Sequence, residues 1–283
     1  MKQSIRELTQ LTNGNPAMDG AGVRMTRVIG TPELNTLDPF LLFDVFESDQ
    51  PNDYIGGFPP HPHRGFETVT YLLAGRMRHK DSNGNEGVIE PGGVQWMTAG
   101  RGIIHSEMPE QENGLLRGFQ LWVNLPAEHK LTNASYQEFS PHEVSVEQHD
   151  NGTEVRVLAG KTDAGTQGPV KNEFVNPIYL DVKLSAGQRF EQTVGDEDNT
   201  FLFVVDGALT VGNRNRKLAG RQFGKVSDGN LVSVKAEEDS QFLLVSAQPL
   251  NEPIARGGPF VMNTKQEVLQ AFHDYETNQL TGV

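Results

Sequence analysis

The sequence contains no cysteine among its 283 residues. This absence excludes a disulfide framework, a thiolate nucleophile, and zinc or iron–sulfur sites held by cysteine. Any metal site in this chain must therefore use histidine, aspartate, glutamate or backbone oxygen ligands.

Positive charge and long apolar runs are also scarce. Lys and Arg total 24 against 37 Asp and Glu, so the formal net charge is −13. Self-repulsion at this charge disfavours a polyanionic partner, and we expect no direct nucleic-acid binding. The run Phe201–Val205 is too short to cross a bilayer, and Met1–Gly14 lacks the apolar stretch of a signal peptide. We therefore expect a soluble, cytoplasmic protein without membrane association.

Turn-forming residues, in contrast, are abundant. The chain has 30 Gly and 16 Pro, and Asn-Gly or Asp-Gly pairs separate many of its short apolar runs. This pattern predicts an all-β protein of sandwich or barrel type. The clearest predicted strands are Pro39–Phe46, Glu67–Leu73, Gly118–Leu125, Glu154–Leu158, Ile178–Leu184, Phe201–Val205, Leu231–Val234 and Phe242–Ser246.

A single helix is well marked, near the end of the sequence. Glu267 follows Thr264 by three residues, which is the spacing of a capping box. Apolar side chains then recur on one predicted face, at Val268, Leu269, Phe272 and Tyr275. We predict a helix over residues 265–277 that packs on a sheet.

The two halves of the chain resemble each other. TVTYLLAG, which ends at Gly75, and TFLFVVDG, which ends at Gly207, both predict a strand closed by a glycine turn. We interpret this similarity as a tandem duplication of one β-domain. The polar stretch Ser140–Gly152 marks the boundary. It predicts a metal-binding domain at residues 1–140 and a second domain without a metal site at 141–283, ending in the helix.

Two residue pairs carry the clearest chemical signal. His61 and His63 in PPHPHRG, and His105 and Glu107 in IIHSEMP, are each spaced i, i+2, which places both side chains on one strand face. Two antiparallel strands can therefore direct three imidazoles and one carboxylate to one point. Such donors suit iron, manganese, cobalt, nickel, copper or zinc and leave coordination positions open. His79 could approach from a neighbouring strand, but we expect it to face solvent.

Five strings of residues resemble signatures of the pirin family of the cupin superfamily. The resemblance implies a bicupin, with two tandem β-sandwich or barrel domains and a C-terminal helix. It also implies one divalent metal per chain, with Fe(II) expected first and Zn, Ni, Cu, Mn or Co as alternatives. The strings are LDPFLLFD (Leu37–Asp44), GFPPHPHRGFETVTY (Gly57–Tyr71), QWMTAGRGIIHSEMP (Gln95–Pro109), LWVNLP (Leu121–Pro126) and GPFVMNT (Gly258–Thr264).

The same resemblance bears on the ligand set, which it places at His61, His63, His105 and Glu107. Glu67 competes with Glu107, because a glutamate at this distance after HxH also fits the first cupin motif. In pirins that glutamate is not normally a ligand, so we favour Glu107.

The second half of the chain lacks the histidine pair. Counted back from Gly207, the positions that correspond to His61 and His63 are Thr193 and Gly195, and neither can replace an imidazole. We therefore expect the single metal in the N-terminal domain.

Pirins are similar in activity to quercetin 2,3-dioxygenases. The resemblance thus implies a metal-dependent enzyme that uses dioxygen to open the ring of flavonol-like aromatics, with Glu107 as ligand or general base. Predicted pocket residues are Phe58, Met77 and Trp96 as apolar walls and Arg64 as an anion holder. The alternative is a non-enzymatic, iron- or redox-sensing regulatory protein that acts through a protein partner. We expect a monomer in either case.

Overall fold

The computed structural model describes residues 3–281, and β-strands dominate this range. Among these residues there is one α-helix, α1 (Lys265–Glu276), and short 3-10 turns form at Pro51–Asp53 and Ala127–His129. The prediction of an all-β protein with a C-terminal helix is therefore confirmed.

Strands β1 to β12 carry the first half of the described chain. They are β1 (Leu8–Thr12), β2 (Asn15–Asp19), β3 (Val23–Ile29), β4 (Phe40–Ser48), β5 (Phe58–His63), β6 (Phe66–Ala74), β7 (Met77–Asp81), β8 (Glu86–Ile89), β9 (Val94–Thr98), β10 (Ile103–Pro109), β11 (Leu116–Asn124) and β12 (Ser135–Phe139).

Strands β13 to β24 follow. They are β13 (Ser145–Gln148), β14 (Glu154–Ala159), β15 (Ile178–Leu184), β16 (Arg189–Thr193), β17 (Asn199–Asp206), β18 (Ala208–Val211), β19 (Arg216–Ala219), β20 (Phe223–Val226), β21 (Leu231–Ala236), β22 (Ser240–Ala247), β23 (Ala255–Gly257) and β24 (Phe260–Met262).

The chain divides into two compact units. The N-terminal unit comprises Asn15–His142 and Leu250–Val283, and the C-terminal unit comprises Met1–Gly14 and Glu143–Pro249. The predicted division into residues 1–140 and 141–283 therefore differs from these units at both chain ends. The reason is strand pairing over long sequence distances, as in β1, where Leu8 lies opposite Val226 of β20.

The N-terminal unit is a sandwich of two antiparallel sheets. One sheet has the order β12-β9-β6-β11-β4-β3-β2, the other has the order β5-β10-β7-β8, and β23 and β24 form a separate hairpin. Apolar side chains of both sheets meet in one buried cluster, to which Phe46 and Leu72 contribute from the larger sheet and Met77 and Ile89 from the smaller one. This burial holds the smaller sheet against the larger one.

The C-terminal unit repeats this strand order. Its sheets run β1-β20-β17-β22-β15-β14-β13 and β16-β21-β18-β19. Strand β17 occupies the position of β6, and each of the two strands is followed by a glycine with positive φ, Gly207 and Gly75. The repeated order supports the predicted duplication.

The helix α1 begins with the predicted capping box. The Thr264 hydroxyl accepts a hydrogen bond from the Glu267 backbone N–H, and the Glu267 carboxylate accepts one from the Thr264 N–H. Its buried face differs from the predicted one. Val268 and Ala271 are buried, whereas Leu269 is 68% exposed. The spacing of apolar residues predicted where the helix lies in the sequence, but not which of its faces is buried.

No helix among residues 3–281 combines the length and apolar character that a membrane crossing requires.

We predict that Phe260 makes a main stabilising contact between α1 and the rest of the N-terminal unit. Phe260 is fully buried, and its ring lies 4.9 Å from that of Phe272 on the helix. Phe260→Ala should lower the free energy of unfolding by about 3–5 kcal/mol, since it leaves a cavity in a packed cluster. Phe272→Ala, at a half-exposed position, should cost clearly less. Equal losses in urea denaturation would contradict this assignment.

Candidate metal centre

Strands β5 and β10 bring the two predicted pairs together. They run antiparallel, with His61 opposite His105 and His63 opposite Ile103. Because residues two apart share a strand face, His61 and His63 project to the same side as His105 and Glu107. A register shift between His105 and Glu107 places Glu107 opposite Phe58.

The three imidazoles form a close group. His61 Nε2 lies 3.0 Å from His63 Nε2, and the His105 ring centroid lies 4.4 Å from that of His61 and 5.0 Å from that of His63. One potential ligand nitrogen from each ring lies within 4.8 Å of the other two. This spacing allows the three nitrogens to share one ion.

Burial favours the uncharged form of two of the three imidazoles, His63 and His105. It lowers the pKa of His63 and of His105 well below the ordinary histidine value, and the neighbouring imidazoles lower both further. A neutral imidazole retains the lone pair that a metal requires. His63 Nδ1 lies 3.4 Å from the Pro259 carbonyl oxygen. This contact favours the tautomer that carries its proton on Nδ1 and leaves the Nε2 lone pair free to face the cluster.

The ring nitrogens of His105 indicate that the cluster suits a bound cation. Within the described part of the chain, neither ring nitrogen of this fully buried side chain has a hydrogen-bond partner. A buried polar atom without a partner is costly, and a metal ion would satisfy one of these nitrogens. The donor chemistry therefore suits the predicted divalent transition metal.

Glu107 lies in the same cavity wall but is engaged elsewhere. Its Oε1 accepts a hydrogen bond of 2.9 Å from the Thr70 hydroxyl, which also lies 2.6 Å from Gln120 Oε1. Burial raises the pKa of Glu107, while His61 and the Thr70 hydrogen bond act in the opposite direction. The close group of potential ligand atoms among the described residues contains the three histidines and not Glu107.

Glu67 and His79, the other two candidate metal ligands, make their contacts elsewhere. The Glu67 carboxylate accepts a hydrogen bond of 2.8 Å from Thr98 within the larger sheet. His79 is buried rather than solvent-facing: its ring stacks on Tyr136 at 5.6 Å, and its Nε2 contacts the Glu138 carboxylate. The expectation for His79 was wrong because β7 turns this residue toward the interior of the sandwich.

A cavity of about 470 Å³ opens beside the histidines. Its size lies in the range of small-molecule sites. Phe58 and Met77 line it, as do His61 and His63. The other lining residues are Asp19, Gly20, Met25, Arg27, Leu42, Asp44, Phe46, Glu107, Gln120, Trp122, Arg256, Gly258 and Pro259.

Arg64 and Trp96 lie outside this lining, and we correct their predicted pocket roles. Trp96 is fully buried in β9 of the larger sheet. Arg64 turns toward the helix, where its Nη1 bonds Asp274 Oδ2 at 2.6 Å and its Nε donates to the Arg101 carbonyl oxygen. The sequence around Arg64 gives no indication that this arginine pairs with Asp274, far along the chain.

Sequence reasoning missed Trp122 and Arg256. Trp122 lies within the string LWVNLP, and Arg256 lies two residues before GPFVMNT. The signal was incomplete, because only folding brings the β23–β24 hairpin next to β11 and β5.

The C-terminal segment anchors the chain directly after His63. The Val261 N–H donates to the Arg64 carbonyl oxygen at 3.0 Å, and Lys130 Nζ donates to the carbonyl oxygens of Gly65 and Val261. Together with the Arg64–Asp274 ion pair, these bonds fix the end of β5. Residues 250–281 are therefore bonded directly to the residues that follow His63.

Two β-sandwich units of equal strand order, one of them holding a buried histidine cluster, define a bicupin protein with a candidate metal centre. Residues 22–123 match the family described as Pirin, and residues 179–281 match the family described as Pirin C-terminal cupin domain. The chain belongs to the pirin family.

Relatives match over nearly the whole chain. A pirin-like protein of Caulobacter vibrioides is 51% identical over 273 residues, which cover 96% of this chain and 98% of that protein. The human protein named Pirin is 40% identical, and the match covers 96% of this chain and 93% of that protein. The crystal structure of a quercetin 2,3-dioxygenase from Acinetobacter baumannii superposes with a TM-score of 0.89 at 36% identity, over 98% of this chain and 99% of that one.

We predict that the Arg64–Asp274 pair contributes a pH-dependent part of stability. The Arg64 hydrogen bond lowers the pKa of Asp274 below its ordinary value of about 3.9. A carboxyl with a depressed folded-state pKa stabilises the fold fully above its unfolded-state pKa, and this contribution is lost as pH falls through the folded value. Wild type should therefore melt above Asp274→Asn at pH 7, and the difference should shrink below about pH 4.

The control is Asp49→Asn, which removes an exposed carboxylate. Its melting temperature should follow that of wild type from pH 7 to pH 3. A difference between wild type and Asp274→Asn that stays constant over this range would contradict the assignment.

Proposed function

We propose that this protein is a metal-dependent dioxygenase that opens the ring of flavonol-like aromatics, as a quercetin 2,3-dioxygenase does. The observation that carries the proposal is the close group of three imidazoles. Burial holds His63 and His105 neutral, and His61 and His63 line a cavity of about 470 Å³. The similarity to the Acinetobacter quercetin 2,3-dioxygenase supports it.

We assign the metal ligands to His61, His63 and His105, with Glu107 as the fourth donor or as a base beside the ion. Fe(II) remains the first expectation, and Zn, Ni, Cu, Mn and Co suit the same donors. A bound divalent ion would act as a Lewis acid and lower the pKa of a coordinated hydroxyl group.

The cavity wall suits a flat aromatic ligand. Phe58, Leu42 and Phe46 supply apolar surface, and Trp122 presents its indole beside His63, with ring centroids 5.2 Å apart. Burial of an aromatic ligand against these side chains contributes the hydrophobic part of binding and excludes water from the reacting group.

Glu107 has the properties of a general base. Burial raises its pKa toward the working pH, which increases the driving force for accepting a proton from a substrate hydroxyl. The Thr70 hydroxyl fixes one carboxylate oxygen, so the other remains available.

The direct test is aerobic turnover of quercetin by protein loaded in turn with each candidate metal. Loss of quercetin absorbance with release of carbon monoxide is the expected result. His63→Ala should lose bound metal and reduce turnover by at least about 100-fold, because a ligand is removed. His129→Ala, which removes a half-exposed histidine outside the cavity lining, is the matched control and should retain both. Absence of turnover with every metal would overturn the proposal.

A second prediction separates the two roles of Glu107. If it acts as a base, Glu107→Gln should keep the metal content of wild type and lower kcat by about 100-fold or more. Thr70→Val should cause a smaller loss, because it leaves the carboxylate in place but frees its orientation. Metal loss in Glu107→Gln would assign the residue as a ligand instead, and an unchanged kcat would exclude both roles.

A further inference from the structure

Arg256 belongs to the wall of the cavity that His61 and His63 also line. It lies in β23, lines the cavity and is an exposed residue, so an entering ligand can reach it. The Arg256 guanidinium has no role in the proposed function.

The Arg256 guanidinium and the histidine cluster lie against the same indole. Arg256 Cζ is 4.7 Å from the Trp122 ring centroid, and the Trp122 ring meets the His63 ring edge-on at 5.2 Å. This cation–π contact fixes the guanidinium over the ring face. A ligand that contacts both His63 and Arg256 would therefore also lie close to Trp122.

The second arginine of the cavity is already neutralised. Arg27 donates to both carboxylate oxygens of Asp44, at 2.9 and 2.7 Å, and also pairs with Asp19. Arg256 instead makes one long hydrogen bond, of 3.5 Å, from Nη1 to the Leu41 carbonyl oxygen. No ion pair within residues 3–281 includes Arg256.

The surroundings of Arg256 favour an added anion. Partial burial lowers its pKa and Arg27 lowers it further, while Asp44 and Asp19 oppose this change. A carboxylate placed beside the guanidinium would relieve the cost of partial desolvation and could accept two parallel hydrogen bonds.

We propose that Arg256 forms an anion-binding subsite that selects aromatic substrates carrying a carboxylate or similar oxyanion at the end remote from the histidines. The inference rests on the proposed function only in placing an aromatic ligand in this cavity, and it narrows the substrate class. Trp122 positions the guanidinium, and Arg256 recognises the charge.

The test compares two probes that differ by one group, 3-hydroxyflavone and 3-hydroxyflavone-4′-carboxylate. Dissociation constants are measured without dioxygen on nickel-loaded protein, from quenching of tryptophan fluorescence. Wild type should bind the carboxylate probe about 10-fold more tightly, and added salt should weaken this preference. Arg256→Gln should abolish the preference, so that the two probes bind with dissociation constants within about twofold of each other.

Two further variants complete the design. Arg256→Lys keeps the charge but not the planar fork and should retain part of the preference. Arg24→Gln removes a 68% exposed arginine outside the cavity and should behave as wild type. A preference that persists in Arg256→Gln, or that is absent from wild type, would overturn the inference.

The outcomes separate this inference from the proposed function. Wild type that prefers the carboxylate probe through Arg256 but never turns over a flavonol would refute the dioxygenase alone. Turnover of 3-hydroxyflavone without any preference would refute the anion subsite alone. If neither probe binds, both the anion subsite and the proposed function are wrong.

Discussion

The candidate metal centre depends on the antiparallel pairing of β5 with β10. That pairing sets His61 opposite His105, and the two-residue repeat of a strand turns His63 and Glu107 to the same face. A register slip of one residue in either strand would send that strand's two side chains to the other face of the sheet. The smaller sheet is held in register by its packing on the larger one, so the core of the sandwich is also the scaffold of the site.

Burial gives this group its chemistry. It keeps His63 and His105 uncharged, leaves both nitrogens of His105 without a hydrogen-bond partner among the described residues, and raises the pKa of Glu107. Each of these conditions is costly in a protein that has nothing to bind there. Perturbed groups of this kind, gathered in one cavity, are typical of functional sites.

The C-terminal unit shows that strand order alone does not make a site. Its β16 and β21 pair as β5 and β10 do, yet they bury Phe190, Val232 and Val234 in the apolar core of that unit. Thr193, which the count from Gly207 had matched to His61, ends β16 as an exposed residue. One fold thus carries a candidate metal centre in one copy and plain core packing in the other.

Local periodicity in the sequence predicted the strands, the capped helix and the three histidines, because strand and helix repeats can be read from neighbouring residues. The sequence did not reveal that Arg64 pairs with Asp274, that Arg256 covers Trp122, or that each chain end joins the opposite unit. These contacts join residues far apart in the chain. They form only when the sheets assemble, and no local pattern encodes which distant side chain will lie alongside.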